Sequence, residues 1–315
     1  DAATDWLQKA EQGGVIQVGE GNHYVQGTDY TVTRKVSGQM GKNAGTYKLV
    51  VAPKSGGKIT GGSVEIDLVV NQKSMLTGVT VSDPDSLVYN GQPHHPQPTV
   101  TFAGNTLQYK VDYTLDWENA TNATTQESMA VIKVTGKGNF KDTFRKEFTI
   151  KPLVISENKN PTEAGYIKVN RPVDGEKRPY TGKPIEPEVN IEVNLGTGTK
   201  PLGEDGYTVT YDKDHTNVIN QVVTMTITGK GNYDGSITRT FTVVQQELTD
   251  LSVKIDPIPD QTYTGASIHP NIGEVRHSTN GVLQYGADYE LEWGENKECG
   301  PGAGSVKIIG MNNYK

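Results

Sequence analysis

The sequence predicts an all-β protein made of small two-sheet modules that follow one another in tandem. Three observations lead to this prediction. One order of motifs recurs along the chain, apolar residues alternate with polar ones inside each copy, and clusters of Gly, Pro, Asn and Asp separate the alternating segments. Helical patterning is nearly absent.

The recurring motifs are the main signal, because a repeat that is overlooked leads to a wrong fold. Each of three copies holds a Tyr-x-Gly motif, then a strand that begins at a tyrosine, and then a glycine turn that ends in Asn-aromatic. The tyrosine of the first motif and the glycine that opens the turn lie 47, 49 and 47 residues apart, at Tyr89 and Gly136, Tyr180 and Gly229, and Tyr263 and Gly310. This near-constant spacing indicates one structural unit per copy.

Four modules follow, which we call the first to fourth repeats: 1–71, 72–152, 153–246 and 247–315. The first is divergent. It lacks the Tyr-x-Gly motif, but the segments that start at Gly27 and Gly45 match the tyrosine strand and the strand before the turn. The fourth ends before its last strand, and the chain starts at Asp1 with no signal peptide in view, so we expect a processed form or an excised fragment.

The links between the repeats are short and contain no long Gly/Ser stretch, which favours a rod with limited bending over freely moving modules. Strands of about 10 residues at ~3.3 Å each make a module roughly 33 Å long. Four modules end to end then reach roughly 130 Å.

Within each repeat, apolar residues follow a period of two. Tyr113, Leu115 and Trp117 alternate with polar residues, and the segments 289–293 and 223–227 have the same pattern. Such alternation of aromatic and β-branched residues is typical of strands with one buried face. About seven short strands fit in a repeat, which predicts an antiparallel β-sandwich of the immunoglobulin type.

The glycine turns have a local explanation. Glycine permits a positive φ, and asparagine tolerates or caps the left-handed conformation. The aromatic residue that ends each turn can then anchor it, so we expect Phe140, Tyr233 and Tyr314 to be buried. The one helix we expect spans 4–12, where Thr4 is a candidate cap.

Composition excludes several functions. The chain has 30 basic and 37 acidic residues, a net charge of −7, and so offers no basic stripe for nucleic acid or for an anionic membrane. Cys299 is the single cysteine, which rules out an intrachain disulfide. No apolar run approaches the roughly 18 residues of a membrane span.

The order Tyr-x-Gly, Asp-Tyr-Thr-Leu and Thr-Gly-Lys-Gly-Asn-aromatic, best seen over 72–315, resembles the bacterial immunoglobulin-like repeats of large multidomain cell-surface proteins of the adhesin type. The resemblance covers 1–71 weakly. It implies secreted or wall-attached modules, located outside the cell and on the bacterial cell wall, that serve as stalks or adhesive segments. Intramolecular Lys–Asn amide bonds occur in some modules of this class, and the sequence does not place one here.

Several residues are candidates for reactive or binding groups. We expect the six histidines to occupy non-equivalent repeat positions, and adjacent His94 and His95 lie in a Pro-flanked loop that favours a solvated role over a metal site. Cys299 lies in a Gly-rich loop and is interpreted as an incidental thiol. The Asp-Pro segments at Asp83 and Asp256 suggest calcium at module junctions or, more simply, the start of a turn.

Two further motifs have structural explanations. Gly-Lys-Gly at 136–138 and 229–231 lacks the spacing of a phosphate loop and is followed by strand patterns. Trp117 and Trp293 could stack on sugars, but their alternation with acidic residues places them on the inner face and favours core packing. We therefore assign no catalytic, cofactor-binding or metal residue and expect no cofactor.

The favoured function is a non-catalytic cell-surface stalk or adhesion segment that presents or forms a binding surface. Its partners would be a host or environmental protein or glycan and other modules of the same larger protein. The alternative is a carbohydrate-binding or accessory part of a larger extracellular enzyme, and enzymatic activity in the chain itself is the third possibility. The loops that vary most between repeats, 121–128, 156–165 and 276–281, are the candidate contact surfaces.

Overall fold

The computed structural model describes residues 24–35, 43–218 and 220–315. In these ranges the protein is all-β and is built from many small sheets; the only helical segment is one 3-10 turn at Glu204–Gly206. The predicted all-β class is confirmed. The helix expected at 4–12 lies outside the described residues. No helix within the described ranges has the length and apolar character needed to cross a membrane.

The chain forms two compact units. The first unit consists of two segments, the described residues up to Leu87 and Gln92–Ile150. The second unit consists of Val88–Gly91 and Lys151–Lys315. The first unit thus holds the first repeat and most of the second. The second unit holds the third and fourth repeats together with the Tyr-x-Gly segment of the second. The four boundaries expected from the sequence remain a prediction.

The first repeat contributes one antiparallel sheet with the order β1-β2-β3. Its strands are β1 (Tyr30–Arg34), β2 (Gly45–Pro53) and β3 (Val64–Val70). Tyr30, Val32 and Leu49 form its buried cluster. These residues lie on alternate positions of β1 and β2, as the period of two predicts.

The second repeat has two three-stranded antiparallel sheets, with the orders β5-β7-β8 and β12-β10-β9. Its strands are β4 (Lys73–Ser74), β5 (Val79–Val81), β6 (Leu87–Val88), β7 (Val100–Phe102), β8 (Asn105–Thr106), β9 (Tyr113–Glu118), β10 (Ala130–Gly136), β11 (Phe140–Lys141), β12 (Thr143–Phe148) and β13 (Ile150–Lys151). The central strand β10 supplies the fully buried Ile132 and Val134.

The third repeat has a three-stranded sheet, β15-β17-β18, and a four-stranded sheet, β16-β22-β20-β19. Its strands are β14 (Leu153–Val154), β15 (Ile167–Arg171), β16 (Glu176–Pro179), β17 (Asn190–Asn194), β18 (Thr199–Pro201), β19 (Tyr207–Tyr211), β20 (Val223–Gly229), β21 (Tyr233–Asp234) and β22 (Ser236–Val244). β16 runs parallel to β22, whereas β20 is antiparallel to both of its neighbours.

The fourth repeat has the sheets β23-β24-β25 and β26-β27. Its strands are β23 (Val253–Ile255), β24 (Val275–His277), β25 (Gly281–Val282), β26 (Tyr289–Trp293) and β27 (Val306–Gly310). One buried cluster joins both sheets to the last turn, and its members are Ile272, Val275, Leu283, Tyr289 and Tyr314.

The strand alternation expected from the sequence is confirmed. In β9, Tyr113 is buried and Leu115 and Trp117 are half-buried, whereas Thr114 and Asp116 face solvent. β20 and β26 have the same alternation. Each of these strands therefore buries one face and turns the other toward solvent.

The three turn aromatics are buried, as predicted: Phe140 and Tyr233 are 7% exposed and Tyr314 is 2% exposed. Each also pairs in parallel with a residue at the start of its own repeat or, for Tyr314, just before it. Phe140 pairs with Lys73, Tyr233 with Leu153, and Tyr314 with Gln246. Through this backbone pairing, the turn connects the beginning of a repeat with the end of its central strand.

We expect the glycine that opens each turn to be intolerant of a side chain. A Cβ on Gly136 would lie 2.7 Å from the backbone nitrogen of Lys141, because the turn folds back on it. Gly136→Ala should therefore destabilise the second repeat by about 2 kcal/mol or more, measured by denaturant-dependent hydrogen exchange in β10. Gly62→Ala is the matched control, since its methyl would meet no atom within 4 Å. Equal effects of the two substitutions would contradict this account of the turn.

Candidate functional site: junctions between successive repeats

The residues weighed as metal ligands do not come together. Among the described residues, no group of three or more His, Cys, Asp or Glu side chains is placed to hold a metal ion. Asp83 forms an ion pair with Lys146 at 2.6 Å. His94 is half-buried with Nε2 enclosed and unpaired, while its backbone N–H donates to the carbonyl of Ala120. His94 and His95 therefore differ in environment, although they are adjacent.

Histidines do recur at equivalent repeat positions, so the expectation that they do not is wrong. His95 and His269 each lie four residues after the glycine of a Tyr-x-Gly motif. Their rings pack against Trp117 and Trp293, with centroids 4.6 and 5.0 Å apart. The equivalence is visible only when positions are counted from that glycine.

The third repeat forms the same contact with a different histidine. Tyr211 ends β19 where the second and fourth repeats have tryptophan, and His215 from the following loop stacks on it at 4.1 Å and 20°. Trp117 is further fixed because its indole N–H donates to the carbonyl of Pro96 at 3.1 Å. These aromatic residues are packed as parts of the strand ends, in line with the core role that their alternation favours.

The Tyr-x-Gly tyrosine contacts the turn of the next repeat. Tyr180 packs edge-on against Tyr314, with ring centroids 5.4 Å apart and planes at 83°. This T-shaped arrangement places the positive edge of one ring against the negative face of the other. Asn280 donates to the Tyr314 hydroxyl at 3.1 Å and lies beside Gly182, so both residues of the Tyr-x-Gly motif take part.

The segment Val88–Gly91 makes the same contact with the third repeat, inside the second unit. Tyr89 packs edge-on against Tyr233 at 5.4 Å and 81°. Lys200 donates to the Tyr89 hydroxyl at 3.1 Å, and its ammonium lies 5.6 Å from the ring centroid. Burial raises the pKa of the Tyr233 phenol, and the adjacent Tyr89 adds to this effect, so the Tyr233 phenol is neutral at ordinary pH.

The asparagine of the turn adds polar contacts to the preceding repeat. Asn313 Oδ1 accepts from the N–H of Val218 at 2.8 Å, and its Nδ2 donates to Asn217 Oδ1 at 3.1 Å. In the first unit, Asn139 makes the equivalent bonds, from the N–H of Ala44 at 2.8 Å and to Asn43 Oδ1 at 3.0 Å. In both junctions, the turn asparagine bonds to an asparagine side chain and to the backbone N–H of the residue that follows that asparagine.

The receiving loop of the third repeat is held in shape by Asp214. Its carboxylate accepts from the N–H of Thr216 at 2.7 Å and from Asn217 Nδ2 at 2.9 Å. The bond from Thr216 is the main cause that lowers the pKa of Asp214. Because the Asn217 amide nitrogen is engaged, its oxygen is directed to Asn313.

Two of the three short links, at 71–73 and 245–247, contain a glutamine whose side chain donates to a turn. Gln72 Nε2 donates to the carbonyls of Gly138 and Phe140 at 2.9 and 3.2 Å. Gln245 Nε2 donates to those of Asn312 and Tyr314 at 3.0 and 3.1 Å. These two links are therefore bonded to the turns and are part of the junctions.

Sequence reasoning used the Tyr-x-Gly motif to find the repeats and missed its contact role. The signal was present: the tyrosine recurs outside the alternating strands, and it is always followed by a glycine with positive φ, at Gly91, Gly182 and Gly265. Of the three candidate loops, 276–281 lies at a junction through Asn280. That these loops bind an external partner stays a prediction.

Comparison of the sequence with protein-family models gives no match, and comparison with curated proteins gives none either. The geometry of the junctions therefore carries the functional argument.

The Tyr–Tyr contact can be tested with an internal control. Tyr180→Ala should destabilise the fourth repeat by about 1–3 kcal/mol, because it removes an edge-on aromatic pair together with buried area. The equivalent Tyr263 is 62% exposed, so Tyr263→Ala should have an effect near zero. Hydrogen exchange in β27 as a function of denaturant measures both, and similar losses for the two variants would contradict the assigned contact.

His277 should make this junction sensitive to acid. It is 4% exposed, its Nδ1 accepts from the Asn280 N–H at 3.3 Å, and burial lowers its pKa from the usual 6.5. The unfolded chain then binds a proton more readily than the folded chain, so stability is complete above about pH 6.5 and falls as the pH drops below it. Melting temperatures between pH 5 and 8 should show this fall, and His277→Asn should flatten it. An unchanged slope in the variant would assign the pH dependence to other groups.

Proposed function

We propose that the chain is a non-catalytic segment of tandem immunoglobulin-like modules that acts as a spacer or adhesive stalk at a bacterial cell surface. The modules hold binding surfaces at a defined distance and orientation. The proposed location is extracellular, in line with the resemblance of the repeats to those of cell-surface proteins.

One observation carries the proposal: the Tyr-x-Gly tyrosine packs against the aromatic turn of the next repeat in the same way twice, at 5.4 Å and near a right angle. Modules that move freely on flexible linkers would not need such a contact. Within the second unit, this packing and the bonded link at Gln245 would restrict bending between the third and fourth repeats.

The strand count supports the immunoglobulin-like assignment. In the third repeat, a four-stranded and a three-stranded sheet supply the seven strands that this type of sandwich uses. The buried residues of β20 and β17 lie on alternate positions, as expected where one face of each sheet is directed inward.

The packing of the tryptophans favours the spacer over a carbohydrate-binding module. A sugar platform needs an open aromatic face. Trp117 and Trp293 are instead half-buried, and each has a histidine ring against it. Sugar binding remains the alternative to be tested.

Small-angle X-ray scattering of the full chain tests the spacer role. An extended array of four modules should give a maximum dimension of roughly 130 Å. A compact chain of this length would instead have a radius of gyration of about 20 Å. A radius of gyration of about 20 Å would contradict the proposal. Distances between spin labels on the third and fourth repeats give a second test. A broad distance distribution that Tyr180→Ala leaves unaltered would also contradict the proposal.

A further inference from the structure

The fourth repeat has a Tyr-x-Gly motif whose partner position is open. Tyr89 is 6% exposed beneath the next turn, whereas Tyr263 is 62% exposed. Gly91 and Gly182 approach Leu195 and Asn280 of the following repeat. Around Gly265 the nearest atom beyond its chain neighbours is the hydroxyl of Tyr263 itself, 4.0 Å from a Cβ position.

The loop that receives the turn asparagine can also be located in the fourth repeat. In the third repeat, the N–H of Ile185 donates to the carbonyl of His215, and in the fourth the N–H of Ile268 donates to that of Asn296. Both donors lie three residues after the Tyr-x-Gly glycine, so His215 and Asn296 are equivalent. Asn217 and Val218 lie two and three residues after His215. Their equivalents, two and three residues after Asn296, are Glu298 and Cys299.

Glu298 and Cys299 preserve the chemistry of the receiving pair. The Glu298 carboxylate can accept from an asparagine amide nitrogen, as Asn217 Oδ1 does. The backbone N–H of Cys299 corresponds to that of Val218, which donates to Asn313. Both side chains are exposed.

These groups meet in one surface cleft. Its volume is about 820 Å³, and Tyr263, Glu298 and Cys299 line it together with Trp293, Ile258 and Val306. Its lining combines aromatic rings with polar groups, which matches what the other turns meet, namely a tyrosine ring and an Asn-containing loop.

We propose that this cleft is the docking site for the Asn-aromatic turn of a further module of the same kind. The turn aromatic would lie edge-on against Tyr263, and its asparagine would bond to Glu298 and to the N–H of Cys299. This inference rests on the spacer function proposed above, because it extends the same junction to one more module. The two occupied junctions favour a module over a glycan as the occupant.

The test uses the native thiol as a reporter. Cys299 is the single cysteine, and a copy of residues 142–246 appended after Lys315 adds no other. That copy supplies the strand that follows the last turn and then a third-repeat module with its turn asparagine and tyrosine, Asn232 and Tyr233. The rate at which Cys299 reacts with a disulfide reagent is compared in the 315-residue chain and in the extended chain.

Docking should slow the reaction of Cys299 at least about tenfold, because the thiol loses access to the reagent. Asn232→Ala and Tyr233→Ala placed only in the appended copy should restore the original rate. Tyr263→Ala in the extended chain should do so as well. An unaltered rate in an extended chain whose added strands are protected from hydrogen exchange would overturn the proposal.

Two further measurements complete the test, one with a longer extension and one with sugars. If the added module does not fold, the chain is extended instead by residues 142–315, and the second copy of Cys299 is replaced by serine so that one thiol remains. An unaltered reaction rate of Cys299 in this longer chain overturns the proposal. Titration of the 315-residue chain with xylohexaose and cellohexaose tests the glycan. Protection of Cys299 by a sugar, lost in Tyr263→Ala, would also overturn it. An extended scattering profile with an unprotected Cys299 would reject this docking site and leave the spacer function standing.

Discussion

The structure depends on aromatic rings that belong to two repeats at once. Tyr233 and Tyr314 are buried in their own repeats, and each offers a face or an edge to the tyrosine of the preceding Tyr-x-Gly motif. Because the same ring fills a core and forms a junction, the packing of a module and its coupling to a neighbour cannot vary independently. The asparagine before it adds directional hydrogen bonds, which fix the orientation that apolar contact alone leaves loose.

The strands and the buried turns were predictable because they depend on local patterns. Alternation places Tyr113 inward and Thr114 outward whatever the rest of the chain does. A glycine turn that ends in an aromatic residue likewise predicts an anchored ring, as Phe140 shows. The sequence-level reasoning succeeded where a residue and its cause lie a few positions apart.

The junctions were not predictable in the same way, since they join residues far apart in the chain. Tyr180 and Tyr314 meet only after two modules have folded. The repeated histidines were missed because loops of unequal length shift their numbering, and a fixed period from the repeat start hides the match between His95 and His269. Counting from the structural anchor, the Tyr-x-Gly glycine, restores it.

The parallel pairing of β16 with β22 has a mechanical consequence. Glu176–Pro179 lies alongside Phe241–Val244, and β22 leads directly into the link to the fourth repeat. When tension acts between Glu176–Pro179 and the outgoing chain, the four residue pairs between these two parallel strands are loaded in shear and resist together. An antiparallel hairpin pulled from its open end would unzip one bond at a time. The third repeat therefore has, next to its exit link, strand bonds that resist such a pull jointly.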